Sequence, residues 1–197
     1  SADFNSQVKV YKGKFFAIDS NNILRCYSIK DGTEIWNIKT EKSLIKSVKK
    51  LSLLIKDNTI YFNNSIGDIS AVNIDDGQLL WLTPTHNTKV TGQSFFTKSS
   101  VLVANKNSIF LSNDKNEFFS LDFKSGIVNW QHKINSILTP TIVNDLIFTV
   151  TMEGFLVVID SRQGNIIRKT DTFKQFKNKN RLKIKPIGFI MGSKTFI

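Results

Sequence analysis

Short apolar runs, separated by turn-forming residues, follow one another along the whole chain. The stretches "LSLLIKD", "NTIYFNNS", "IGDISAVNI" and "GQLLWLT" in residues 51–83 show the pattern, and they break at Asn, Asp or Gly. Runs of this length between such residues predict β-strands joined by hairpins. No stretch has the 3.6-residue apolar spacing of an amphipathic helix. The pattern therefore predicts an all-β protein.

The same series of four runs recurs four times, and a glycine followed four residues later by a large side chain marks each copy. The intervals between successive glycines are 45, 49 and 38 residues. Repeats of this size, each holding four antiparallel strands, predict the blades of a β-propeller, which bury their faces by stacking on one another. The signature residues are Gly32, Trp36, Gly77, Trp81, Gly126, Trp130 and Gly164, with Arg168 in place of a fourth tryptophan.

The repeat also gives approximate limits for the blades. The first spans about 7–42, the second about 50–85, the third about 99–134 and the fourth about 138–172, and a fifth begins at about 182–197. About four and a half blades do not close the usual ring. We therefore expect this chain to be part of a larger propeller, with open blade faces and a strand edge that favour self-association.

Each signature pair has a structural explanation. The glycine lies in a turn such as D-D-G or K-S-G, where a positive φ causes no Cβ clash. The tryptophan begins the outermost strand, and we expect its ring to face the next blade and its indole N–H to reach a backbone carbonyl. Because Arg168 lacks a ring, we expect its junction to be weaker or to use the guanidinium instead.

The chain carries a net charge of +11, from 27 Lys and Arg against 16 Asp and Glu. Such a surplus is typical of proteins that bind nucleic acid, an acidic membrane or an acidic protein, but we prefer the simpler explanation that lysine is spread over every exposed loop.

The densest charge lies in "FKQFKNKNRLKIK", between the fourth and fifth blades. We take it as a candidate partner-binding loop, with Lys174, Lys177, Lys179 and Arg181 as its cations. A solvated linker is the simplest alternative. Phe173 and Phe176 could stack on bases, so nucleic acid is another alternative, and the alternation in "RLKIK" also fits an edge strand with outward lysines.

Residues that could carry chemistry are few. Cys26 is the only cysteine, which excludes an internal disulfide, and it stands where the other copies have Ala71, Ser120 and Val158. We therefore expect it to be a packed strand residue. His86 and His132 lack metal-binding spacing, and there is no phosphate-binding loop or GxSxG motif. The sequence thus predicts no catalytic, cofactor or metal site.

The stretches "AVNIDDGQLLW" (71–81) and "SLDFKSGIVNW" (120–130), with weaker copies at 26–36 and 158–168, resemble the quinoprotein (PQQ) repeat. The resemblance covers nearly the whole chain and implies PQQ-like propeller blades. In quinoprotein dehydrogenases it would further imply PQQ and Ca²⁺, held beside a vicinal cysteine disulfide. One cysteine cannot form that disulfide, and Asp31, Asp75 and Asp76 stand at turns that we expect to face solvent.

The outer-membrane assembly branch of this family, BamB, is more similar. The stretch "TPTIVNDLIFTVTMEGFLVVIDSRQGNIIR" (139–168) resembles one of its blades. The resemblance implies an eight-bladed, cofactor-free scaffold in the periplasm, held at the outer membrane by a lipid anchor outside this chain. It further implies binding to the periplasmic domains of BamA and assistance in the insertion of outer-membrane barrel proteins. From the charge pattern itself, we expect no nucleic acid as partner. A quinoprotein-like propeller that binds PQQ or another ligand is the alternative function.

Overall fold

The structure is a computed structural model, and it describes residues 3–41, 50–85, 98–181 and 183–192, without the side chains of residues 178 and 179. The chain divides into two compact units, Ser1–Lys98 and Ser99–Ile197. Each unit contains two four-stranded antiparallel sheets in which neighbouring strands follow one another along the chain. No helix in the described ranges is long and apolar enough to cross a membrane.

The first unit holds the first two sheets. The first consists of β1 (Lys9–Tyr11), β2 (Lys14–Ile18), β3 (Ile23–Ser28) and β4 (Glu34–Lys39). The second consists of β5 (Leu53–Lys56), β6 (Thr59–Asn63), β7 (Ile69–Asn73) and β8 (Leu79–Thr83).

The second unit holds the other two sheets. The third consists of β9 (Val103–Ala104), β10 (Ser108–Ser112), β11 (Phe118–Asp122) and β12 (Val128–His132). The fourth consists of β13 (Thr141–Val143), β14 (Leu146–Val150), β15 (Phe155–Asp160) and β16 (Ile166–Asp171), and a short helix, α1 (Asn178–Arg181), follows it.

The predicted all-β fold of PQQ-like propeller blades is confirmed by these four sheets together with the structural matches given below. Each sheet lies within one of the four complete blades expected from the sequence. We propose that the residue ranges given above are the limits of these blades. The expected start of the fifth blade lies partly outside the described residues. Residues 184–190 form no strand, so the alternative of an edge strand in "RLKIK" is not seen in its described part.

The third and fourth strands of every sheet pair through a register shift at the same point of the repeat. In the first sheet it lies between Cys26 and Tyr27, and the other sheets shift at the equivalent places. Next to each shift, a small residue pairs directly with the signature position, as Cys26 does with Trp36. A β-bulge adds one residue to a strand and increases its twist. The small side chain leaves room for the large one opposite it.

The core of each unit lies between its two sheets. In the first unit, Phe16, Leu24 and Cys26 pack with Ile60 and Val72 of the second sheet. In the second unit, Phe110 and Phe118 pack with Ile147, Val157 and Ile159 of the fourth sheet. Neither sheet could bury these side chains alone, which is why the repeat is needed.

Two hairpins have their positive φ at the residue directly before an aspartate, at Gly67 before Asp68 and at Asn144 before Asp145. Asp68 is buried and Gly67 has φ +102°. Glycine adopts that conformation without the steric clash that an aspartate side chain would cause.

Cys26 is fully buried, as expected for a packed strand residue, and burial raises the pKa of its thiol to about 11. Thiolate is the form that reacts with alkylating reagents. We predict that iodoacetamide at pH 8 labels Cys26 of the folded chain at least about a hundredfold more slowly than in 6 M guanidinium, because a pKa two units higher lowers the thiolate fraction about a hundredfold. Mass spectrometry of timed samples measures both rates. Equal rates would contradict the burial.

Candidate functional site

The signature residues of the first unit join its two sheets through one contact. The ring of Trp36 lies on Gly77, where a Cβ atom would come within 2.7 Å of the indole. The indole Nε1 donates a hydrogen bond to the Ile74 carbonyl at 3.0 Å. Gly77 has φ +75°, so it meets two requirements that favour glycine, the turn conformation and the space for the ring.

The second unit repeats this contact with its own residues. The ring of Trp130 lies on Gly164, 2.7 Å from the position of a Cβ, and its Nε1 donates to the Ser161 carbonyl at 3.3 Å. His132, two residues further along β12, contacts the Gly164 carbonyl through Nε2. His86 lies outside the described residues.

The other signature positions are placed as follows. Trp81 packs beside Tyr61, with ring centroids 5.8 Å apart. Gly32 and Gly126 adopt φ +71° and +72°, and no atom lies within 4 Å of the Cβ position at Gly32. Arg168 is exposed and its Nε donates to Thr170 Oγ1 at 3.2 Å.

A further repeat position was missed in the sequence, 13 residues before each signature glycine. Its side-chain oxygen accepts backbone N–H groups of the hairpin that follows it. Asn64, for example, accepts from Ile66, Gly67 and Asp68 at 3.0–3.1 Å. The four residues are Asp19, Asn64, Asn113 and Thr151. Aligning the copies one residue at a time would have found this position.

A second missed position lies eight residues after the glycine. Thr40, Thr85 and Thr172 donate from Oγ1 to a backbone carbonyl of the second hairpin in the same sheet. The third copy has Ile134 here, which is buried in the apolar core. Both missed positions close hairpins, so they stabilise the sheets.

The candidate partner-binding loop is tied to the fourth sheet by Arg181. Its Nη1 pairs with the Asp171 carboxylate at 2.8 Å, and its Nε donates to the Phe176 carbonyl at 3.0 Å. Lys174 and Lys177 are exposed, whereas the side chain of Lys179 lies outside the described residues. The structure therefore separates an anchoring cation, Arg181, from two cations that face solvent.

The aromatic residues of this loop are partly occupied. Phe173 packs on Gly154, where a Cβ would lie 2.3 Å from its ring, and it meets Phe176 edge-on with centroids 5.9 Å apart. Base stacking needs a free ring face. Phe173 serves the packing of the fourth sheet, and Phe176, 39% exposed, is the more accessible of the two.

The described residues contain no group of three His, Cys, Asp or Glu side chains that could hold a metal ion. Asp31, Asp75 and Asp76 are exposed at turns. The fully buried Asp19 pairs with Arg25 at 3.0 Å, and Arg25 pairs in turn with Glu34 at 2.7 Å. The hydrogen bond from Arg25 lowers the pKa of the Glu34 carboxyl. Both carboxylates of this network accept hydrogen bonds from the same guanidinium, that of Arg25.

Residues 1–170 match the family described as outer membrane protein assembly factor BamB. The chain belongs to this family. BamB of Shewanella oneidensis is 21% identical over 175 residues, which make up 83% of this chain and 43% of that relative. The chain spans less than half the length of the curated BamB relatives that it matches.

Solved structures agree on the fold. Crystalline BamB from Moraxella catarrhalis matches with a TM-score of 0.65 at 16% identity, over 85% of this chain and 53% of that one. The quinohemoprotein alcohol dehydrogenase of Comamonas testosteroni matches with a TM-score of 0.68 at 10% identity, over 87% of this chain and 35% of that one. A BamB assembly factor and a dehydrogenase therefore share the architecture of this chain, and the choice between their functions depends on particular residues.

Gly77, which lies beneath the Trp36 ring, and Gly32, which has open space at its Cβ position, provide a matched pair of variants in the first unit. Gly32→Ala adds only backbone strain, which destabilises by about 1 kcal/mol. Gly77→Ala adds the same strain and a clash with Trp36, and overpacking of this kind destabilises by a further 1–3 kcal/mol or so. Urea unfolding followed by tryptophan fluorescence measures both. Equal losses of unfolding free energy would contradict the ring-on-glycine contact.

Proposed function

We propose that this chain is a non-catalytic protein-interaction part of an outer-membrane protein assembly factor. The observation that carries the proposal is the BamB family match over residues 1–170. The contacts of the signature residues support it, because they are used for packing between sheets. The described residues contain no group of His, Cys, Asp or Glu side chains that could hold a metal ion. Loops beside a rigid repeat are then the natural place for partner binding.

The partner in this proposal is the set of periplasmic domains of a BamA-type protein, at the periplasmic side of the outer membrane. A lipid anchor outside this chain would hold the protein there. The candidate partner-binding loop, the basic segment that follows β16, supplies the contact. Between residues 172 and 192 the sequence has no Asp or Glu, so the exposed Lys174 and Lys177 face no acidic neighbour within the segment. Exposed cations of this kind steer an acidic partner and fix its orientation.

A charge reversal tests this contact. We predict that Lys174→Glu with Lys177→Glu weakens capture of purified BamA periplasmic domains by about tenfold or more, measured by surface plasmon resonance at low and physiological salt, because like charges across an interface repel. Arg181 is left unchanged because it anchors the segment to Asp171.

The matched control reverses two exposed lysines elsewhere, Lys30 and Lys115, and so gives the same net charge. This control should bind as the unaltered chain does. If both double variants lose affinity equally, the effect is general charge and the segment is not the site. If neither does, the segment plays no part in binding.

A quinoprotein-like function is the second candidate, favoured only by the fold shared with the alcohol dehydrogenase. The residues of this chain do not fit PQQ and Ca²⁺. The one cysteine, Cys26, is buried within the first unit, and the buried Asp19 is committed to Arg25.

Adding PQQ and CaCl₂ to the chain distinguishes the two functions. We predict no change in melting temperature and no bound quinone absorbance after gel filtration, since one cysteine cannot form a vicinal disulfide and the buried Asp19 is paired with Arg25. Stoichiometric retention of the quinone would favour the dehydrogenase-like alternative.

A further inference from the structure

A polar cleft of about 490 Å³ lies between the third and fourth sheets, within the second unit. Ser108, Asp122 and Asn129 line it from the third sheet, and Ser161 and Arg162 line it from the fourth. Its volume falls in the range of small-molecule sites in proteins. The cleft lies beside the contact between Trp130 and the Ser161 carbonyl.

The equivalent place in the first unit is filled by a lysine side chain. Lys14 and Ser108 both stand 18 residues before a signature glycine. Lys14 Nζ donates to the Ile74 carbonyl at 3.1 Å and lies 3.7 Å from the Asp75 carboxylate. In the second unit the short Ser108 side chain leaves that space open.

The charges of the two walls are also exchanged. Lys14 pairs across its sheet with Ser28, whereas Ser108 pairs with Asp122. On the opposite wall, Arg162 takes the place of Asp75, two residues before the glycine. In the first unit, therefore, the Lys14 side chain fills the space and its ammonium lies beside the Asp75 carboxylate. In the second unit, the Asp122 carboxylate and the Arg162 guanidinium line opposite walls of the open cleft.

Three groups in the cleft keep hydrogen-bonding capacity after their contacts with described residues are counted. Asp122 accepts from Lys124 and Ser125 through Oδ1, which leaves Oδ2. Asn129 donates from Nδ2 to two serines, which leaves its amide oxygen.

Arg162 is the third group. It pairs with Asp145 through Nε and Nη2, which leaves Nη1 as a donor. The Ser125 N–H lowers the pKa of the Asp122 carboxyl, so this side chain is ionised at neutral pH. The cleft therefore offers two acceptors, one of them charged, and one charged donor.

We propose that this cleft binds a small zwitterion, a molecule such as a free α-amino acid that carries an ammonium and a carboxylate a few bonds apart. The ammonium donates to Asp122 Oδ2 and the Asn129 amide oxygen, on the wall formed by the third sheet. The carboxylate accepts from Arg162 Nη1, in a charge-assisted hydrogen bond. Such binding is additional to the proposed scaffold function and independent of it.

Titration of ¹⁵N-labelled chain with L-serine tests the proposal, followed through the amide signals of Ser108, Asn129 and Arg162. Ethanolamine, which lacks the carboxylate, and 3-hydroxypropionate, which lacks the ammonium, are the matched probes. We expect saturable shifts with L-serine and about tenfold weaker binding of either probe, because each loses one charge-assisted contact. Shifts that grow linearly with L-serine at every concentration would overturn the proposal.

Three variants locate the site. Asp122→Asn keeps the Oδ1 contacts of the turn and should remove the preference for L-serine over 3-hydroxypropionate. Arg162→Gln should remove the preference over ethanolamine. Ser108→Lys fills the space as Lys14 does and should abolish binding. Asp75→Asn, at the equivalent place in the first unit, should leave binding unchanged.

Unaltered binding by Asp122→Asn and Arg162→Gln would place any L-serine site elsewhere and reject the cleft. Those two variants decide the matter even if Ser108→Lys fails to fold, since neither changes a side chain packed in the core.

Discussion

The packing of an indole ring on a glycine of the next sheet is the contact on which the other regularities of this chain depend. The ring fits because the glycine has no Cβ, and its N–H reaches a carbonyl three residues before that glycine. The same contact explains the small residue paired with the tryptophan, which gives the ring room. It also explains why a single sheet is not a stable unit, since each one supplies the glycine or the ring for another.

What the sequence could predict follows from repetition. A feature present in several copies, such as Gly77 and Trp81, stands out without an alignment, and its physical role follows from the turn and the ring. Features that occur once could not be predicted in this way. The contact of Arg181 with Asp171 and the packing of Phe173 on Gly154 depend on how the chain folds back after β16. The cleft at Ser108 could be recognised only by comparison with the contacts that Lys14 makes in the first unit.

Function in a repeat protein is found where a copy departs from the pattern. The positions shared by the copies are occupied with turns, caps and packing, and the fold that they build is shared with both BamB and an alcohol dehydrogenase. The departures here are the basic segment after the fourth sheet and the exchanged charges of the second unit. In the segment Lys174 and Lys177 are exposed, and in the second unit Ser108 stands where Lys14 makes its contacts with Ile74 and Asp75.

The bulge beside the small residue has a consequence for how the outermost strand finds its place. Sliding that strand by one residue would turn Trp36 to the opposite face of its sheet, away from Gly77, and would leave the extra residue facing a regular ladder. A shift of one residue would therefore lose the indole contact and misplace the bulge at the same time. The bulge and the indole contact are therefore both satisfied in only one register of the outermost strand. This disfavours incorrect registers in a chain whose hairpins share one sequence pattern.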